Sequence, residues 1–214
     1  MATMYKEQAL NNMVCLFEDG EYYERKEAFL SIIDEFAKVD IGWALGCSMN
    51  LFFRGLIDDF HDLDLIVDIN DIEKIKKIMK ERGATLTETG GNGFCESDIY
   101  MHYQLGRVDI DIISGFKIVT FGTEYYYPYK VNQVDKVEIM EFKVPLISLE
   151  AMYILYYMME GWQPRRKFKR MLIEEYFDYE KPKHIEVFKE AIENNELPGQ
   201  IKWAVKKLIN ESDY

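Results

Sequence analysis

The sequence predicts an α+β fold: a β-sheet flanked by helices and followed by a helical C-terminal region. Three observations carry this. Across residues 41–68 an apolar run, 41–45, stops at Gly46-Cys47-Ser48. A helix-like segment follows, and then a second apolar run whose only charges between His61 and Val67 are Asp62 and Asp64. Further on, apolar residues alternate with polar ones at strand period in 98–105, 107–113 and 136–144. From Ser148 the spacing becomes helical, interrupted at Gly161, Pro164, Pro182 and Pro198-Gly199. The chain therefore divides into N-terminal helices that pack on the sheet (1–40), the sheet domain (41–145) and the helical region (146–214).

Taken in order, residues 4–17 read as a helix and 22–39 as a longer one. In the second, Tyr22, Ala28 or Phe29, Ile32, Ile33, Phe36 and Val39 recur at helical spacing opposite Glu24, Lys26, Glu27 and Asp34. The run 41–45 is a strand, and Ser48 is placed to cap a helix reaching Arg54. A glycine turn feeding a helix offers free N–H groups to a phosphate. In the next strand Asp62 and Asp64 share one face, since successive side chains alternate, while Leu63 and Leu65 enter the core. Two adjacent carboxylates repel, and an oxygen-liganded divalent metal is what most often holds such a pair. Asp58 and Asp59 read as solvated loop charges, and His61 as a structural loop histidine.

An amphipathic helix follows over 71–82, with Ile72, Ile75, Ile78 and Met79 inward and Gly83 closing it. Residues 84–89 are expected to be extended. Gly90-Gly91-Asn92-Gly93 reads as a flexible hairpin turn, because no Lys-Ser/Thr follows and no helix begins there. Residues 98–105 and 107–113 form two strands joined tightly at Gly106. The second sends Val108, Ile110 and Ile112 to one face and Asp109 and Asp111 to the other, so four aspartates converge if it lies beside the Leu63 strand. The aromatic stretch 121–129 reads as packing without a firm element assignment. Residues 136–144 read as one strand ended by Pro145. Helices are expected at 149–159, 165–177, 183–194 and 200–209.

The chain has 214 residues, 48% apolar and 30% charged, with a formal charge of −12. Its longest uninterrupted apolar run, 151–159, is nine residues, far short of the ~20 a membrane span needs. With neither a signal-peptide pattern nor a transit pattern, a cytoplasmic protein is expected. Three widely spaced cysteines indicate neither a disulfide framework nor a zinc site. An acidic surface disfavours nucleic acid, whose backbone meets basic faces, and attracts small cations. One cluster opposes the net charge: Arg165, Arg166, Lys167, Lys169 and Arg170 at a helix start, where the dipole itself prefers anions.

Gly46-Cys47-Ser48, thirteen residues, then Asp62-Leu63-Asp64-Leu65 resembles the glycine/serine turn and Asp-x-Asp of the polymerase-beta-like nucleotidyltransferase superfamily. The closest flavour is its minimal and antibiotic-modifying members. That family carries a third carboxylate on a later strand in an apolar-Asp-apolar setting often preceded by Arg. Arg107-Val108-Asp109-Ile110 fits this, with Asp111 two residues on. The direct resemblance covers residues 40–115, with a weaker echo over 145–172. Where the family has Gly or Ser directly after the first Gly, this chain has Cys47. Similar enzymes present a Lys from the helical region to the triphosphate, often followed by an acid; Lys167 is the nearest match, followed here by Phe168.

The resemblance implies a mixed-sheet nucleotidyltransferase domain at 41–145 and a Mg2+-dependent enzyme. Such an enzyme moves a nucleoside monophosphate from an NTP, ATP first, to an acceptor hydroxyl. Asp62, Asp64 and Asp109 are the expected ligands of two cations. Asp109, with Asp111 as the alternative, is the expected base, and Gly46, Cys47, Ser48, Arg166 and Lys167 are the expected nucleotide contacts. The excess of acids in the cleft points to a small hydroxylated acceptor, an amine of aminoglycoside or lincosamide type, with no nucleic-acid or membrane partner. The rival reading is a catalytically weak or inactive relative acting as an antitoxin or regulatory binding partner, favoured by Cys47 and Phe168. The four aspartates weigh against it.

Overall fold

The computed structural model describes residues 2–90, 95–120 and 122–212. The glycine turn expected at 90–93 lies, after Gly90, outside the described residues. Two helices open the chain, α1 (Ala2–Glu18) and α2 (Tyr23–Val39). The buried residues of α2 are Ala28, Phe29, Ile32, Ile33 and Phe36, the stripe its periodicity indicates, whereas Val39 is exposed.

A seven-stranded mixed sheet follows in the order β3-β4-β5-β2-β1-β9-β8. Its strands are β1 (Trp43–Leu45), β2 (Leu63–Val67), β3 (Thr85–Thr89), β4 (Ile99–Leu105), β5 (Val108–Ser114), β8 (Val134–Ile139) and β9 (Phe142–Ile147). The hairpin β6 (Phe116–Thr120) and β7 (Thr123–Tyr127) forms a separate two-stranded sheet. Between strands lie the short helix α3 (Cys47–Phe53) and α4 (Ile72–Glu81). Strand β2 is central: it pairs antiparallel with β1 and parallel with β5, and all five of its residues are buried.

Two differences from the sequence expectation have local causes. Residues 136–144 are not one strand, because the chain reverses at Met140, whose φ of 54° is a left-handed turn geometry. The result is the β8–β9 hairpin, with Pro145 inside β9 opposite Lys136. Alternation on both sides of a two-residue turn reads like one uninterrupted strand. Strand β6 was hidden in a similar way, because Gly115, at φ 57°, turns the chain immediately after β5.

The sheet separates two cores. Leu63, Leu65, Val67, Ile110 and Ile112 pack with α2 and α4. Ala44, Ile66 and Ile113 pack with the C-terminal helices and the β6–β7 hairpin. Those helices are α5 (Leu149–Met159), α6 (Pro164–Tyr179), α7 (Ile185–Asn194) and α8 (Gly199–Ser212). Ser148 caps α5 by accepting from the Ala151 N–H. Every residue of α5 except Tyr157 is buried, so α5 is a central element of the second core. The helical region and the sheet share one apolar interior.

Polar groups tie α3 to that interior. Asn50, fully buried, donates through Nδ2 to the Leu45 and Ile147 carbonyls at 2.9 and 2.8 Å. It thus bridges β1 and β9 where their ladder is short. Arg54 donates to Asn50 Oδ1 and the Ile147 carbonyl and pairs with Asp135 at 2.8 Å. Burial works to raise the Asp135 carboxyl, but Arg54 outweighs it and holds the group below its usual range. A depressed acid stabilises the fold above its ordinary pKa, and that contribution is lost as pH falls through the folded-state value. Arg54→Met should therefore cost about 2 kcal/mol at neutral pH, less than for a fully buried pair because Asp135 keeps some solvent. Urea titrations should show the gap to the unmodified protein narrowing as the pH is lowered to about 4 and below.

Candidate active site

The parallel pairing of β2 with β5 puts Asp64 directly opposite Asp111. Asp62 precedes β2 by one residue on the same face. One carboxylate oxygen from each of Asp62, Asp64 and Asp111 lies within 4.8 Å of the others. This face looks away from α2 and α4 toward α6. Asp109 is not in the trio: its side chain is half exposed and meets His102 Nε2 at 3.5 Å. The third carboxylate brought to the site is therefore Asp111, because its register position, and not that of Asp109, matches Asp64.

The trio is costly as it stands. Asp64 is buried, and burial first, then Asp62 and Asp111, push its carboxyl well above the usual range. Burial likewise raises Asp111, partly offset by His102 and Tyr100. Both partners bond to the same oxygen: His102 Nδ1 lies 2.6 Å from Asp111 Oδ1, and the Tyr100 hydroxyl donates to it at 3.1 Å. Burial pulls the His102 imidazole down, but the bond to Asp111 prevails and raises it. Asp111 Oδ2 has no such partner among the described residues.

His102 and Tyr100 had escaped the sequence reading, although a signal existed. The tight turn at Gly106 pairs Leu105 with Val108, and counting back three pairs brings His102 opposite Asp111.

The glycine turn stands at the trio's edge. Gly46 donates its N–H to the Asp64 carbonyl at 2.9 Å, and a Cβ there would lie 3.1 Å from Ile66 Cγ1, so a larger residue would have to push the Ile66 side chain aside. Helix α3 begins two residues earlier than expected: Gly46 is its N-cap, and Ser48 lies within it, donating from Oγ to Asp62 Oδ1 at 3.1 Å. Ser48 fixes a carboxylate; it does not cap a helix. Cys47 holds a φ of 43°, a left-handed conformation that costs a non-glycine residue about 1–2 kcal/mol. Its thiol is buried and raised by that burial and by Asp64.

Across the cleft stands α6. Arg165, Arg166 and Lys169 line the same cavity of about 330 Å³ as Cys47, Ser48, Asp62, Asp64 and Asp111. Arg166 and Lys169 also sit 5.8 and 5.7 Å from the Tyr156 ring, whose buried hydroxyl finds no hydrogen-bond partner among the described residues. Burial lowers the Lys169 ammonium. Lys167, by contrast, is exposed and outside the cavity, and Arg170 is turned inward to Glu160 and Glu174. The reason is helical phase: the buried stripe Arg170, Ile173 and Phe177 puts positions 166 and 169 on its flank and position 167 about 100° away from 166.

The remaining expected loop charges fall outside the trio. Asp59 pairs with Arg25 at 3.0 Å and accepts from the Tyr22 hydroxyl and the Phe60 N–H, a structural assignment that its loop position concealed. His61 lines the cavity, is exposed, and lies 3.6 Å from Asp59.

The family model described as aminoglycoside-2''-adenylyltransferase matches residues 28–172, more than half of the chain. The chain belongs to this family. It is a nucleotidyltransferase of the polymerase-beta-like superfamily. Among curated proteins no relative matches. Among solved structures it is similar to a nucleotidyltransferase-like protein, TM1012 of Thermotoga maritima. That match has 18% identity and a TM-score of 0.54, and covers 71% of this chain and 94% of the other. It is also similar to ANT(2'')-Ia in complex with adenylyl-2''-tobramycin, at 12% identity and a TM-score of 0.50, covering 69% and 86%. At these identities the likeness concerns the fold.

The trio's electrostatics yield a direct test. An acid whose folded-state pKa is raised costs stability once the unfolded chain ionises, so the cost is absent below about pH 4 and grows above it. In this family member, Asp64→Asn without added metal should therefore unfold at a higher temperature than the unmodified protein at neutral pH. Each kcal/mol relieved is worth about 2–4 °C at this chain length. The advantage should vanish in scanning calorimetry near pH 4.

Proposed function

We propose that the protein transfers a nucleoside monophosphate from an NTP, ATP in the first place, to a hydroxyl of a small acceptor with pyrophosphate leaving, Mg2+ being held by Asp62, Asp64 and Asp111. The observation that carries this is the convergence of three carboxylates from neighbouring strands opposite Arg166 and Lys169. The donor set fits a hard divalent cation: it is all oxygen, three acids converge in it, and the Asp64 carboxyl is raised by burial first and then by Asp62 and Asp111, a repulsion that a cation would relieve. Bound there, Mg2+ supplies charge neutralisation for the polyphosphate and a lowered pKa for the acceptor hydroxyl.

The chain's own residues supply position and charge, which is most of what phosphoryl-type transfer asks of a protein. Ser48 fixes Asp62 by its 3.1 Å bond, and His102 with Tyr100 fixes Asp111. Asp111 takes the acceptor proton through the oxygen those bonds leave free, a role given to it here in place of Asp109. Arg166, one of the two cations the sequence points to, faces the triphosphate together with Arg165, and Lys169 stands in the place of Lys167. The turn Gly46-Cys47-Ser48 lies beside the trio and offers backbone to the phosphates. With −12 overall, the protein surface attracts amines and repels nucleic acid.

Thermal-shift titrations with ATP, with MgCl2 and with both should show stabilisation that requires both, and mass spectrometry of small hydroxylated amines incubated with enzyme, ATP and Mg2+ should show adenylyl adducts. A flat thermal response together with no adduct on any acceptor overturns the proposal. Within it, Lys169→Ala should weaken ATP binding by about 1.5–3 kcal/mol, the range for a charge-assisted hydrogen bond. Lys167→Ala should leave calorimetric ATP affinity unchanged, because position 167 faces solvent.

A further inference from the structure

The cleft does not end at the trio. Ile57 and Phe168 line both it and a second, adjoining groove of about 390 Å³. The floor and walls of this groove are mainly apolar: Met4 from α1, Ile57, and Phe168 and Leu172 from α6. Its lining includes two carboxylates, Asp58 and Glu175, and no Lys or Arg. Neither carboxylate has a cationic partner among the described residues, and both are exposed. Phe168 is 60% exposed at the junction, an aromatic surface that a ligand crossing from cleft to groove would cover.

Along α6 the change of character is continuous. Arg165, Phe168, Leu172 and Glu175 follow at i, i+3, i+7 and i+10, which keeps them on one side of the helix. The stripe runs from positive at the cleft, through apolar, to negative at the far end. From Phe168 to Glu175 it spans about 10 Å at 1.5 Å per residue. A molecule lying along it is complementary if a phosphate sits at the first end, an apolar body in the middle and an amine at the last. Met4 and Glu175 both fall outside the residues 28–172 that the family model matches, so the two ends of the groove belong to this chain and not to the matched segment.

We infer that this groove is an acceptor subsite selecting an amphipathic hydroxylated amine, whose apolar limb lies over Phe168 and Leu172 and whose ammonium, about 10 Å from the Phe168 level, meets Glu175 and Asp58. The inference rests on the transferase reading for its orientation toward the trio. It does not rest on that reading for the binding itself. A wholly hydrophilic polyamine would meet the two acids but leave the apolar wall wet.

The test is binding by calorimetry, below micelle-forming concentrations, of three probes with one sugar head: methyl glucoside, octyl glucoside and 8-aminooctyl glucoside. The octyl limb should tighten binding at least tenfold over methyl, and the terminal amine should add a further severalfold gain. Met4→Asn should erase most of the octyl gain, Glu175→Gln should erase only the amine gain, and Gln8→Trp, filling the groove from α1, should erase both. All three sites lie outside the trio's cavity. Circular dichroism and ATP–Mg2+ binding, unchanged in each variant, would show the fold and nucleotide site intact.

Equal affinities for the three probes, or gains that survive Gln8→Trp, overturn the inference. Adenylyl transfer is scored separately. Groove-dependent binding without transfer to any acceptor keeps the subsite and removes the transferase reading. Transfer that ignores limb and amine keeps the transferase and removes the subsite.

Discussion

The constraint on which the rest of the structure depends is the parallel register of β2 against β5, which sets Asp64 level with Asp111. Side chains on neighbouring strands at one level are forced within a few ångströms, and here both are carboxylates on a buried face. The apolar packing of Leu63, Leu65, Ile110 and Ile112 on the opposite face holds this register, since a one-residue shift of β2 would turn Leu63 and Leu65 out of that core and the β2 acids into it. The hydrophobic core thus enforces a repulsive arrangement that the polar face alone would not adopt.

Much of the surrounding polar structure answers that repulsion. Ser48 fixes Asp62, and His102 and Tyr100 together engage one oxygen of Asp111. Arg166 and Lys169 oppose the charge from α6. These contacts hold the acids in place without neutralising them, as the raised carboxyls of Asp64 and Asp111 attest. Stability surrendered at one place and recovered in a large apolar interior is the usual pattern of sites kept for chemistry. The left-handed Cys47 adds strain at the same spot.

The helical region takes part in the site because it takes part in the core. With α5 buried nearly all round, α6 is held by Ile173 and Phe177, and that grip sets which of its five neighbouring cations face the acids. The same helix carries the apolar and acidic residues that border the adjoining groove. One rigid element therefore presents cations to one end of the cleft and an apolar, then acidic, surface to the other.

The sequence by itself determined the class of fold, the helices α2 and α4, the hairpin at Gly106 and the carboxylates from which the site is built. These follow from local rules: alternation places Asp62 with Asp64 and Asp109 with Asp111, and helical spacing marks the buried stripes. It did not reveal the reversal at Met140, since a two-residue turn leaves the alternation on either side looking continuous. Only the tertiary structure decided that Asp111 joins the trio and Asp109 does not, and that Lys169 faces the cleft and Lys167 does not. Each of these depends on how one element is placed against another: the level of β2 against β5 and the rotation of α6 against α5. Periodicity fixes which residues share a face. The packing of that face on its neighbour fixes what each residue touches.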